Sequence, residues 1–264
     1  MAETKIHLKS DSHRDFIKVF DEFGYKYDRW KVWQDFLDVS AAALQLPFYG
    51  KEAADRIQAV HDRYGDDYKK MDELFTIMVN ALDFEYQDFL GSVFMGLGLN
   101  NKWTGQFFTP YNLCLLMAES TMGNKESLEA ECREKHYLWG NDPCVGGGAM
   151  LIAACDVMRR KDFNFQQNVL FVAQDIDLKC VNMAYIQLSL IGAAAQVIWG
   201  NSLAVECRKA WYTPVFFLND WPEEMRENPQ IFEQIDRLEV ESGYTMSMDG
   251  KKMRDRIRHN ENKK

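Results

Sequence analysis

Residues 142–151, Asp-Pro-Cys-Val-Gly-Gly-Gly-Ala-Met-Leu, constrain this chain more than any other stretch, because they join an acidic opening, a tight glycine loop and the start of an apolar helix. Glycine at 146 and 148 lets the backbone turn sharply and come close to a ligand, where a β-carbon would collide with it. Leu151-Ile152-Ala153-Ala154 continues as helix, so the free amides at its start face the same ligand. Such a segment is either the loop of a nucleotide or adenosyl-type cofactor or a structural turn, and its surroundings decide which.

Those surroundings alternate strand and helix. Residues 136–139 read as a short strand entering the loop, and residues 150–159 as the helix that follows. Residues 168–174, Asn-Val-Leu-Phe-Val-Ala-Gln, read as a buried strand ending at Asp175, and 178–191 as a second apolar helix. Gln196-Val197-Ile198-Trp199 reads as a third strand, closing at Gly200-Asn201-Ser202-Leu203. Short connections between these elements predict an α/β fold with a parallel, doubly wound sheet. In such sheets the ligand lies beyond the carboxyl ends of the strands, where Asp142, Asp175 and Asn201 fall. Upstream, apolar residues return at three and four, as in Phe16, Val19, Phe20 and Phe23 and again in Met71, Leu74, Phe75, Met78 and Leu82. This spacing predicts helices, and its aromatic stripe, with Trp30, Trp33 and Phe36, reads as helix-packing core rather than a base-stacking platform. The expected plan is a helical domain over 1–100, an α/β domain over 101–222 and a polar helical tail over 223–264.

Charge and cysteine usage narrow the function classes. A formal charge of −9 makes this chain alone a poor candidate for gripping DNA. The basic tail, Lys251-Lys252-Met253-Arg254-Asp255-Arg256-Ile257-Arg258, is read as a frayed end or a nucleic-acid contact. No apolar run is long enough to cross a bilayer and the first residues are too polar for a secretion signal, so the expected location is the cytoplasm. The six cysteines form no CxxC pair and the five histidines sit at no metal-ligand spacing beside them; reduced thiols and no metal are expected.

The loop departs from the dinucleotide fingerprint G-x-G-x-x-G, since Leu151 stands at the third glycine and the acid precedes the glycines. Asp175, at the end of the next strand, suits a pair of ribose hydroxyls; on position alone it equally suits capping the helix that begins near Asp177.

Four stretches together resemble one family. Gly105-Gln106-Phe107-Phe108-Thr109-Pro110 looks like a GQFFTP segment, residues 142–151 look like a DPxCGTGGxL loop, Ala173-Gln174-Asp175-Ile176-Asp177 followed by Met183-Ala184-Tyr185-Ile186-Gln187-Leu188 and Gly192 looks like a GQExD strand end and its helix, and Gly200-Asn201-Ser202-Leu203 is similar to GDTL. In this order they resemble the amino-methylating DNA adenine methyltransferases, and within them the methylation subunit of type I restriction-modification systems. The resemblance implies a Rossmann-like S-adenosylmethionine-dependent methyltransferase fold. It also implies that S-adenosylmethionine is held by Gln106, Phe107, Phe108, Thr109 and Pro110 at its methionine end. Gly146, Gly147 and Gly148 would pass under the sulfonium and ribose in the loop that Asp142 opens, Asp175 would hold the ribose hydroxyls, and Asn201 would accept from the adenine amine through its amide oxygen. Cys144-Val145-Gly146-Gly147 departs from the CGTG wording, and the hydroxyl expected at 147 is gone.

In that family the target amine is met by an NPPF or NPPY segment after a fourth strand, and this chain has neither. Val215-Phe216-Phe217-Leu218 is read as the strand, followed by Asn219 as acceptor, Asp220 as a further acceptor and Trp221 as stacking ring. The other reading is that Asn219-Asp220 turns the chain and caps a helix opening at Pro222. Two functions follow. One is an adenine-specific DNA methyltransferase, or its methylating part, in a restriction-modification or mobile-element system, reaching DNA through a partner subunit. The other is a catalytically inactive methyltransferase-derived protein acting through cofactor binding or protein contacts, with a partner or a second copy of itself.

Overall fold

A computed structural model describes residues 11–99, 108–219 and 221. Five helices come first: α1 (Asp11–Asp21), α2 (Arg29–Tyr49), α3 (Lys51–Tyr64), α4 (Tyr68–Phe84) and α5 (Phe89–Gly96). Their limits follow from local chemistry. The Asp28 carboxylate accepts from the Lys31 amide at 2.8 Å and opens α2, while Gly50, at φ 54°, closes it in a conformation that only glycine adopts without strain. Asp88 opens α5 by accepting from the Gly91 amide at 3.0 Å. The aromatic stripe is core: Phe16 meets Trp33, Phe36 and Phe89 edge-on at centroid distances of 6.4, 5.2 and 5.6 Å. The buried Asp35 carboxylate in α2 is matched by Lys31 and Arg63, each at 2.7 Å, and by the Tyr64 hydroxyl at 3.0 Å.

The α/β part follows as α6 (Tyr111–Thr121), α7 (Lys125–Lys135), β1 (Leu138–Asp142), α8 (Ala149–Arg160), α9 (Phe165–Asn168), β2 (Val169–Asp175), α10 (Leu178–Leu190), β3 (Ala194–Trp199), β4 (Lys209–Tyr212) and α11 (Pro214–Leu218). Strand β1 begins two residues later than its sequence predicts, because His136 takes the left-handed conformation, φ 69°, and ends α7 there. Val169, Phe171 and Ala173 of β2 join Ala195 and Val197 of β3 in a buried apolar cluster that runs without a break into Phe16, Trp33 and Leu90 of the helical part. The opposite strand positions, Leu170, Ala194 and Tyr212, pack with Tyr137, Phe216 and Trp221 in a smaller cluster. Helices α2 and α10 lie against each other, so the helical part is mounted directly on the helix that follows β2.

The sheet is mixed, with strand order β1-β2-β3-β4. The first three strands are parallel, with Asp142 opposite Ala173 and Asp175 opposite Trp199. Strand β4 is antiparallel to β3, pairing Trp199 with Lys209 and Gln196 with Tyr212. Among the described residues the strand order follows the chain. One expectation is corrected here. The expected fourth strand over residues 215–218 is instead helix α11, with Pro214 at its first turn, where a missing amide and a fixed φ favour helix initiation. Thr213 closes the true strand: its hydroxyl accepts from the Ala195 amide at 2.9 Å and donates to the Ala193 carbonyl at 2.6 Å. No described helix is long and apolar enough to cross a membrane.

Candidate cofactor site

Three loops meet at the carboxyl ends of the parallel strands. The glycine loop leaves β1 at Asp142, whose carboxylate accepts from the Cys144 amide at 3.1 Å. Burial pushes the Asp142 carboxyl up; the Cys144 amide opposes this and the neighbouring Asp175 carboxylate adds to it. The loop is stitched to β2 at two points. The Val145 amide donates to the Gln174 carbonyl, and the Gly146 amide donates to Asp175 Oδ2, both at 2.9 Å. Gly146 and Gly148 take φ of 54° and 98°, as the turn requires. A β-carbon on Gly146 would sit 3.1 Å from the Phe108 ring, so the end of the GQFFTP-like segment lies on this loop. Helix α8 then starts at Ala149 with no side-chain cap, leaving the first-turn amides without intrahelical acceptors.

Asp175 holds two backbone amides, accepting from Gly146 through Oδ2 and from Asp177 through Oδ1, each at 2.9 Å. The capping role falls to Asp177, which accepts from the Lys179 amide at 2.9 Å at the head of α10. A carboxylate has about four lone-pair sites, so Asp175 retains acceptor capacity for hydroxyl donors. Asn201 follows β3; its Oδ1 accepts from the Leu203 amide at 3.1 Å and can accept once more. Cys144 Sγ and Ser202 Oγ are 3.9 Å apart, which brings the first and third loops into contact. Asp142, Gly146, Gly147, Gly148, Asp175, Asn201 and Phe108 are therefore gathered at one end of the sheet. Thr109 and Pro110 lead from Phe108 into α6, with the Thr109 carbonyl 3.8 Å from Cys114 Sγ. Gln106, Phe107 and Asp220 lie outside the described residues.

Asn219 and Trp221 are not gathered there. Because β4 runs antiparallel, the chain after Tyr212 emerges at the amino end of β3. The Asn219 amide donates to the Gln166 carbonyl of α9 at 2.7 Å, just ahead of β2. Trp221 is 1% exposed and packs edge-on against Tyr137, at the foot of β1, at 5.3 Å. The seven residues of β2 separate this end from the loops by roughly 20 Å at about 3.3 Å per residue. Groups in a transfer step must approach to about 3–3.5 Å. The described residues therefore place Asn219 and Trp221 at the opposite end of the sheet from the glycine loop, Asp175 and Asn201.

Four residues at the site were not anticipated. Ile176 and Leu203, 56% and 95% exposed, hold apolar side chains in solvent immediately after Asp175 and Asn201. Their signal was present in the quoted motifs, as apolar residues inside polar loops. Asp88 and Gln187, 4% and 0% exposed, form a polar contact behind the glycine loop. A β-carbon on Gly147 would lie 3.1 Å from Asp88 Oδ1, so the side chain missing at 147 is one that would have faced this carboxylate. Only the polar type of Gln187 within an apolar helix hinted at this.

The six cysteines form no disulfide among the described residues, with 114, 155 and 180 buried and 144 exposed. Among the described residues no group of three or more His, Cys, Asp and Glu is placed to hold a metal ion.

A glycine loop under an uncapped helix start, with an acid ending the next strand, marks an α/β protein with a candidate nucleotide-type site at the carboxyl ends of its sheet. The N-6 DNA methylase family model matches residues 88–221, just over half of the chain and the whole of this site, and the chain belongs to that family of adenine DNA methyltransferases. No curated protein and no solved structure matches it.

Proposed function

We propose that this chain binds S-adenosylmethionine as the methyl-donating part of an adenine DNA methyltransferase, in the manner of the methylation subunits of type I restriction-modification systems. The convergence of Asp142, Gly146–Gly148, Asp175 and Asn201 on one end of three parallel strands carries this reading. The residues present suit the cofactor. Asp175 has spare acceptor sites for a ribose diol, and the glycines leave a cradle that β-carbons would fill. Ile176 and Leu203 offer apolar surface for the two faces of an adenine, and Asn201 Oδ1 offers an acceptor for its amine. Phe108, followed by Thr109 and Pro110, closes the methionine end, and the resemblance adds Gln106 and Phe107 to that set. Bound there, S-adenosylmethionine supplies an electrophilic methyl group on a sulfonium. The chain's own task is to orient that group and keep water from it, and Phe108 against Gly146 supports the second of these.

The charge of −9 favours DNA contact through a partner subunit. The acceptors for the target amine then come from residues other than Asn219 and Trp221. Among the described residues β1 pairs only with β2, which leaves its other edge, ending at Asp142, open beside the loop. The placement of Asn219 and Trp221 also favours the second function, a cofactor-binding protein without transfer. Calorimetric titration with S-adenosylmethionine, with NAD as comparison, tests the shared claim: binding of the first alone supports it, and binding of neither defeats it. Mass-spectrometric assay of N6-methyladenine in DNA, with and without candidate partner chains, then separates the two. Methylation selects the enzyme, and binding without methylation under all conditions selects the second function.

A further inference from the structure

The Gln187 side chain makes three hydrogen bonds, two to the head of α5 and one to the glycine loop, both far from it in the sequence. Its Oε1 accepts from the Leu90 amide in the first turn of α5 at 3.0 Å. Its Nε2 donates to Asp88 Oδ1 at 2.9 Å and to the Gly147 carbonyl at 2.7 Å. The same Asp88 oxygen accepts from the Gly91 amide. All of this lies within the main apolar core, where a methionine or leucine would pack as well without the cost of desolvating a carboxylate and an amide. What the polar pair adds is direction. In a trans peptide the carbonyl of Gly147 and the N–H of Gly148 point opposite ways. Tying the first to Gln187 therefore turns the second toward the Val145 carbonyl, which it meets at 2.9 Å. That sets Gly148 in its left-handed conformation at the head of α8.

We propose that Gln187, held by the buried carboxylate of Asp88, is a positioning residue for the cofactor loop, so that the glycine loop takes its binding shape only when α5 is docked beneath it. The inference rests on the cofactor reading above and extends it to a residue that faces no ligand. It also makes α5, contributed by the helical part, a component of the site.

The test uses the full chain and S-adenosylmethionine as probe. Gln187→Met keeps volume and removes all three bonds; Tyr64→Phe removes the bond to Asp35 in the helical core and serves as a destabilised control. Affinity is measured by calorimetry at a temperature where each protein is folded by circular dichroism, and exchange of the Gly146 and Gly148 amides by NMR. The expected result for Gln187→Met is affinity weakened at least about tenfold and exchange faster by a similar factor, neither being seen in Tyr64→Phe. Wild-type affinity and wild-type exchange in Gln187→Met overturn the proposal. If the native chain itself binds no S-adenosylmethionine, the cofactor reading fails, and exchange alone decides: faster loop exchange confined to Gln187→Met upholds the positioning role, and equal exchange overturns it. Should Gln187→Met fail to fold, Asp88→Asn and Asp88→Ala replace it. Asparagine keeps the acceptor for Gln187 and alanine does not, so asparagine alone retaining the loop upholds the role, and equal behaviour of the two overturns it.

Discussion

Replacing Asp175 by alanine separates its tether from its proposed ligand contact. The carboxylate accepts two backbone amides, Gly146 and Asp177, each at 2.9 Å. A hydrogen bond to a charged acceptor contributes about 1.5–3 kcal/mol, and Asp175 is only partly buried, so the lower end applies to each. Asp175→Ala should therefore lower stability by about 2–4 kcal/mol in urea unfolding without ligand, a large share of the total for a domain. A further bond to the ribose, lost in the complex, should weaken S-adenosylmethionine binding by about 1.5–3 kcal/mol, roughly 10- to 150-fold, by calorimetry on folded protein. Asp175→Asn should fall between, because an amide has one acceptor oxygen and two amides to satisfy. The helix cap gives the control: Asp177→Ala should lower stability by about 1 kcal/mol and leave affinity unchanged. Lost stability with unchanged affinity in Asp175→Ala would remove the ribose contact, and unchanged stability would refute the tether itself.

At the far end of the sheet, Asn219→Ala should lower stability by about 1 kcal/mol through the lost bond to Gln166 and leave cofactor affinity alone; a selective loss of methyl transfer at full stability would contradict this. Trp221→Ala, which empties a site against Tyr137, should cost about 3–5 kcal/mol in unfolding experiments, whereas a stacking ring open to solvent would cost far less. Burial pushes the Asp88 carboxyl up, with the Gln187 and Gly91 donors acting the other way. The fold therefore favours its protonated form, so this stabilisation is complete below the unfolded value of about 3.9 and is lost as pH rises through the raised one. An asparagine at that position cannot ionise, so urea midpoints of Asp88→Asn should gain on the native chain as pH climbs from about 4 to 7; a constant gap would count against the shift. Thiol labelling of the native protein should reach exposed Cys144 first, with Cys114, pushed up to about 11 by burial, far slower, and S-adenosylmethionine should protect Cys144. Labelling of Cys144 at an unchanged rate with cofactor bound would place the ligand elsewhere.

Local signals carried most of the α/β core. The run Val169 to Ala173 is apolar without alternation, as a strand buried on both faces must be, and Asp177 and Gly192 mark the limits of the helix after it. The two errors have local causes as well. Val215-Phe216-Phe217-Leu218 is four apolar residues, too few to tell strand from helix by period, and Pro214 was the deciding signal for a helix start. Strand β4, Lys209-Ala210-Trp211-Tyr212, is equally short and follows a turn at Val205, whose positive φ of 52° no sequence rule for β-branched residues anticipates. Asp88 and Gln187 were beyond reach for a different reason: they stand 99 positions apart, and only the docking of α5 on α10 makes them partners. What was legible at the site was whatever a single loop could carry; what was not was every contact between loops and helices.

The direction of β4 decides more about function than its length warrants. A parallel fourth strand would deliver the residues after it to the carboxyl ends, beside Asp142 and Asp175, and Asn219 would stand near the proposed methyl group. An antiparallel strand delivers the same residues to the amino ends, about 20 Å away, whatever their identity. No substitution of Asn219 or Trp221 by a better acceptor or ring could bring transfer chemistry to the carboxyl ends without reversing the strand. On the proposed reading, the target amine must be met from the open side of β1. There a strand added parallel to β1 would end beside the glycine loop, in the crevice where sheets of this kind place their ligands. Such a strand would also pair the edge of β1 that no described strand covers, so backbone pairing and catalytic placement would be supplied by one event. Grafting an acceptor segment after Trp221 should therefore yield no methylation, while adding in trans a strand that ends in Asn-Pro-Pro-Phe should yield some. Activity from the first and none from the second would reverse the argument.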